Sequence, residues 1–143
     1  MNIRAFKYLS PIIIYAVSFR AFSVRGWEVW LPLIWAWVII PFAELFIKPM
    51  PGNMNTAEEE LAKKTRTYDF LLYFIVILQY SLLIKFLLVM SQDTMSGYDI
   101  VGRIWVMGLL CGTFGINVGH ELGHRVNKFE QTLAKALLLT SLY

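Results

Sequence analysis

His120 and His124 are the two histidines of the chain, and they stand four residues apart in the stretch GHELGHR, residues 119–125. On a helix, positions i and i+4 lie on one face a single turn apart, so both imidazoles can reach one metal ion. With Glu121 between them they also satisfy the HExxH pattern. Zinc metalloproteases use those histidines as ligands and that Glu as general base toward a zinc-bound water. Iron also accepts imidazole ligands readily. A structural use, hydrogen bonding to lipid phosphate or to a neighbouring helix, is the third reading. Metal binding is the expectation, and two imidazoles leave most of a coordination sphere to be filled from elsewhere.

The elements that carry the pair belong to a membrane. The chain has 143 residues, 57% hydrophobic, 15% aromatic and only 16% charged, with a mean hydropathy of +0.56. Soluble domains are about 25% charged. A net charge of +3 is modest, and no nucleic-acid partner is expected. The single Cys111 lies in an apolar run and has no thiol partner, which excludes a disulfide framework and makes helix packing its expected role.

Each crossing needs roughly 20 apolar residues, and four segments approach that: about Tyr8–Val24, Trp27–Ile47, Phe70–Met90 and Ile100–Gly119. The first is broken by Pro11 and Arg20. The last runs directly into the histidines, and a fifth apolar run, Leu133–Tyr143, follows. The expected fold is an all-α polytopic transmembrane bundle with about four spans. Its orientation comes from the basic residues. Arg4, Lys7, Lys48, Lys63, Lys64, Arg66, Arg125, Lys128 and Lys135 fall on one side, and Arg20, Arg25, Lys85 and Arg103 on the other. Positive charge is retained on the cytoplasmic side, which puts the N-terminus and the histidines there.

Between the second and third segments, Pro49, Pro51 and Gly52 form a turn, and Thr56 with Glu59 fits a capping box opening a short surface helix. Glu58, Glu59 and Glu60 point in different directions on such a helix, so they suit a solvated helix start rather than a metal cluster. Gly108, Gly112, Gly115 and Gly119 recur at spacings of four, three and four, which predicts a groove for a closely packed neighbouring helix. Asn117, one turn before His120, is read chiefly as a cross-helix hydrogen-bonding residue. Trp35 and Trp37 are read as lipid-facing or packing residues, with the lining of an apolar channel as the sharper alternative. Glu44, at the end of the second span, is an ionisable residue at membrane depth, but headgroup contact is its simpler role.

The flanks of the motif carry a family resemblance. GINVGHELGHR, followed by NKFEQTLAKALLLTSLY, resembles the first histidine box and following helix of the membrane alkane 1-monooxygenases. PFAELFIKP at the exit of the second span and TYDFLLYF at the entry of the third agree in order and spacing. The resemblance implies an all-helical protein of some six spans, with three histidine boxes on the cytoplasmic side holding two irons. Residues 1–143 then form the N-terminal part of a single membrane-embedded domain, with its first box at 120–124. His120 and His124 match iron ligands, Glu121 the box's acidic position and Arg125 a basic one. The other boxes are expected beyond Tyr143, and no catalytic residue is assigned.

The implied activity is hydroxylation of an n-alkane to a 1-alkanol, with O₂ as oxidant and electrons from rubredoxin and its reductase. The implied location is a bacterial inner membrane, in contact with lipid. A terminal C–H bond offers neither polarity nor an acidic proton, so a redox metal suits it and zinc does not. An intramembrane zinc protease and a non-enzymatic assembly subunit are the alternatives.

Overall fold

The computed structural model describes residues 3–46, 66–92 and 94–143. The described residues form five helices and no strand: α1 (Ile3–Ala21), α2 (Gly26–Phe46), α3 (Arg66–Met90), α4 (Gly97–Gly123) and α5 (Lys128–Thr140). Inside a bilayer no water is present to hydrogen-bond free backbone groups, so apolar segments satisfy them internally as helices. Gly26–Phe46, Asp69–Met90 and Gly97–Gly123 are long and apolar enough to cross, and Pro11–Ala21 is a shorter apolar helix. The four expected spans are therefore three long helices and one short one. The expected capping box at Thr56 and the Glu58–Glu60 run lie outside the described residues.

Two helices carry a π-helical turn. In α2 one residue separates the turn Trp35–Ile39 from Pro41. Proline lacks an N–H and its ring crowds the carbonyl four residues back; widening the preceding turn removes the crowding. In α4 the turn is Cys111–Ile116. There the Ser141 hydroxyl donates to the Cys111 carbonyl at 3.2 Å. A side chain that captures a ladder carbonyl in this way is a recognised cause of helix distortion.

The corner between α1 and α2 explains the basic residues on the less positive side. Gly26 takes φ +80°, the left-handed conformation that glycine adopts without strain. Its N–H donates to Asp99 Oδ1 at 2.7 Å, and Arg103 Nη2 donates to the Val24 carbonyl at 2.6 Å. Asp99 and Arg103 are both buried, so α4 supplies the polar partners the corner needs. Lys85 of α3 donates to the Phe19 carbonyl at 2.9 Å and to the Ser23 hydroxyl, and lies over the Phe19 ring. Arg20 pairs with Glu28 at 2.6 Å. Three of the four basic residues on this side thus gather at the C-terminal end of α1, where its carbonyls and dipole favour positive charge. Lys85 thus ends on a protein carbonyl.

The packed interior has two parts. The larger unites α1 to α4 through Tyr15, Phe22, Leu33, Ile75, Leu82, Leu110 and neighbours. The smaller joins α3, the end of α4, and α5 through Leu72, Val76, Leu122, Ala134 and Leu137. A polar cluster is embedded where they meet. Gln79, fully buried near the middle of α3, accepts from Tyr15 Oη at 2.8 Å and donates to Thr140 Oγ1 at 3.3 Å and Cys111 Sγ at 3.5 Å. Polar groups at such depth are tolerated only when partnered, and here they tie four helices together. Cys111, whose thiol donates to the Thr140 carbonyl at 3.3 Å, is a packing residue as expected.

Candidate metal centre

α4 and α5 form an antiparallel hairpin, and its tightness comes from glycine. A Cβ on Gly119 would lie 3.0 Å from Leu138 Cγ, and one on Gly115 would lie 2.7 Å from Ser141 Oγ. Gly108 and Gly112 have nothing within 4 Å of the same position. The predicted four-glycine groove is therefore split, and the π turn is the reason. It holds about one residue more than an α turn, so the helix beyond it is rotated by about 100° relative to a regular one. Gly115 and Gly119 face α5. Gly108 and Gly112 instead line an open, apolar groove of about 500 Å³ with Trp37, Ile104, Trp105, Leu109 and Thr113.

The same hairpin decides where the imidazoles point. Leu122 is two residues from each histidine, about 200° around the helix, and it is fully buried against α3 and α5. His120 and His124 must then face outward, and both are exposed. The His120 ring stands edge-on to Tyr143, with ring centres 5.6 Å apart. His124 caps α4, its N–H bonded to the His120 carbonyl at 3.1 Å. Glu121 is exposed beside them, Asn117 is exposed rather than packed across helices, and Glu44 is exposed at the end of α2.

Arg125, one residue beyond the pair, is the most highly connected side chain of this region. Its Nη1 lies 2.5 Å from Asp69 Oδ1 of α3 and 2.8 Å from Glu130 Oε1 of α5; its Nη2 is 3.8 Å from Glu121. Glu130, only 7% exposed, also accepts from Tyr73 Oη at 2.7 Å, and Gln131 Nε2 donates to the Arg125 carbonyl at 2.9 Å. Partial burial works against the guanidinium charge, but hydrogen bonds and charge from Asp69 and Glu130 outweigh it and raise its pKa above the ordinary arginine value. The contact also fixes a level, since it sets the first turns of α3 beside the end of α4. Because α4 spans 27 residues, about 40 Å, its end clears a hydrocarbon layer of about 30 Å.

Sequence reasoning singled out Arg125 only as a basic residue after the motif, and missed Asp69, Tyr73 and Glu130 altogether. Asp69 stands in the first turn of an apolar span and Glu130 in the first turn of α5. Both read as acidic helix starts, which favourable dipole interactions already explain.

The donor chemistry fits a metal held by imidazole, with two nitrogen ligands on one outward face and their helix fixed from behind. The donor number does not complete a site. Among the described residues no group of three or more His, Cys, Asp or Glu side chains is placed to hold an ion.

No protein-family model matches the chain. It is 30% identical over 115 residues to the alkane 1-monooxygenase of Pseudomonas putida, a match covering 79% of this chain and 28% of that protein. It is 27% identical over 118 residues to alkane 1-monooxygenase 1 of Alcanivorax borkumensis, covering 81% of this chain and 29% of the relative. The chain thus spans less than a third of the length of these relatives.

Proposed function

We propose, from the premise that this chain belongs with the membrane alkane 1-monooxygenases, that it contributes the first two histidine ligands of a di-iron centre that hydroxylates n-alkanes at the terminal carbon. The observation that carries the reading is the outward, same-face placement of His120 and His124 at the end of a membrane-length helix. Iron bound there would supply the activation of O₂ that an unpolarised terminal C–H bond requires. The chain's own residues bind and orient. His120 and His124 would each offer a ring nitrogen, and Leu122, Gly115 and Gly119 hold their helix against α3 and α5. The groove beside Trp37 and Trp105 is apolar and roomy enough for a stretch of alkyl chain. Each methylene favours such surroundings over water by about 0.8 kcal/mol.

Rubredoxin and its reductase are the proposed electron source, and the remaining iron ligands are proposed to come from outside the described residues. The protein, carrying every segment its gene encodes, should convert octane in native membranes to 1-octanol when rubredoxin, its reductase and NADH are added. The oxygen in that alcohol should carry label from ¹⁸O₂ and none from H₂¹⁸O. Water-derived oxygen would remove the monooxygenase reading. Stoichiometric zinc without iron would replace it with a hydrolase of the HExxH type.

The Asp69–Arg125 end is proposed to face the cytoplasm of a bacterium, a reading supported by the charge asymmetry of the loops. Reporter fusions after Lys64 and after Arg125 should register cytoplasm, and one at Ser96 the opposite compartment. A cytoplasmic signal at Ser96 would refute this topology.

A further inference from the structure

We propose that Arg125 is a positioning residue for the histidine pair, holding the end of α4 to α3 and α5 at once and so fixing the direction in which the His120 and His124 imidazoles leave the helix. The inference rests on the reading of that pair as metal ligands.

Without Arg125 the end of α4 would have one tie fewer exactly where order is needed most. His124 is the capping residue, and beyond it the chain turns through Val126 and Asn127 before α5 begins. A helix terminus frays unless something holds it. The small interior part grips α4 through Leu122, two residues short of His124. The glycine contacts act chiefly toward α5; the one approach to α3, from Gly115 to Gln79 at 3.7 Å, lies nine residues before His124. The remaining freedom is a swing of the helix end relative to α3, and the 2.5 Å contact from Arg125 to Asp69 opposes it. The 2.8 Å contact to Glu130 anchors the same nitrogen to α5. Glu130 is itself held by Tyr73 of α3 at 2.7 Å, so the three helices are cross-braced.

Guanidinium chemistry suits this task. Its planar fork of fixed N–H groups can serve several carboxylates without rearranging, whereas an ammonium on a flexible stem acts as a point charge. Glu130 is nearly buried, so its half of the brace works where solvent screens it little. Groups that orient metal ligands typically change affinity 10–100-fold when removed.

The test uses Cu²⁺ as the metal probe on the purified chain in detergent, with S91C carrying a nitroxide in a C111S background. The Cu²⁺ isotherm and the Cu²⁺–nitroxide distance distribution are both read by electron paramagnetic resonance. R125Q should weaken Cu²⁺ binding about 10-fold and broaden the distance distribution. R125K should restore only part of either, and K128Q should change neither. Should R125Q fail to fold, D69A removes the direct contact to Asp69 alone and should produce the same broadening in milder form. A brace that serves stability and nothing else would lower the unfolding midpoint while leaving affinity and distance width unchanged in the folded variants, and that result would overturn the proposal. A second distance, between nitroxides at H124C and S91C, needs no metal. If it broadens in R125Q while wild-type Cu²⁺ binding proves indifferent to H120A, the positioning stands and the metal reading fails. If it stays narrow, the positioning fails whatever the pair binds.

Discussion

Replacing His120 or His124 by alanine should lower the iron affinity of the purified protein by more than about 100-fold, and with it the iron that survives purification, because even the groups that only orient ligands account for 10–100-fold. Each substitution deletes one of two donors that share a helix face, and the survivor loses the advantage of a partner already held in place. Both side chains are exposed and bury no core surface, so the fold should survive, and helical circular dichroism of the variants should match that of the parent. Glu121→Gln is the control. That carboxylate is half-exposed and approaches Arg125 only to 3.8 Å, so its loss should leave iron content nearly unchanged. Elemental analysis of the purified proteins decides the matter. Full iron retention in either histidine variant would remove that residue from the ligand set.

The second large effect belongs to the glycines. Gly115→Leu and Gly119→Leu should each cost about 1–3 kcal/mol, the range for forcing extra atoms into a packed contact. Gly108→Leu and Gly112→Leu should cost nothing and can gain up to about 1 kcal/mol, because glycine is the poorer helix former and the space beside it is open. The contrast follows from the 3.0 Å and 2.7 Å approaches at the first pair and the open space at the second. Reversible unfolding of the chain in mixed micelles with increasing dodecyl sulfate would measure all four. Equal costs at the four positions would mean that they share one packed face, as on a regular helix, and the π turn would be wrong.

That contrast also marks where the sequence could be read and where it could not. The apolar runs around Phe70–Met90 and Ile100–Gly119 announce their helices, because length and hydropathy are additive along the chain and depend on no neighbour. The i, i+4 spacing of His120 and His124 announces a shared face for the same local reason. The split of the glycine run was hidden, since it depends on Ser141 reaching the Cys111 carbonyl from the far end of another helix. The bracing of Arg125 was hidden too. Asp69 and Arg125 are 56 residues apart, and each in isolation looks like an ordinary charge at a helix end. Gln79 could have been singled out as a lone amide in the middle of an apolar span, although its partners Tyr15, Cys111 and Thr140 come from three other helices.

The π turn at Cys111–Ile116 acts as a phase shifter along α4. On an unbroken α-helix, Gly108 and His120 would sit about 120° apart around the axis, on different sides. One extra residue in the widened turn brings that separation down to about 20°, and the same arithmetic carries Gly112 to within about 20° of His120 on its other flank. The groove floor and the outward imidazole consequently lie on one longitudinal track. From Gly112 to His120 that track runs eight residues, about 12 Å, so an extended hydrocarbon chain lying in the groove would point its end toward the histidine without having to pass around the helix. A feature that costs a regular hydrogen-bond ladder one turn thereby puts the membrane-facing groove and the histidine-bearing end in line.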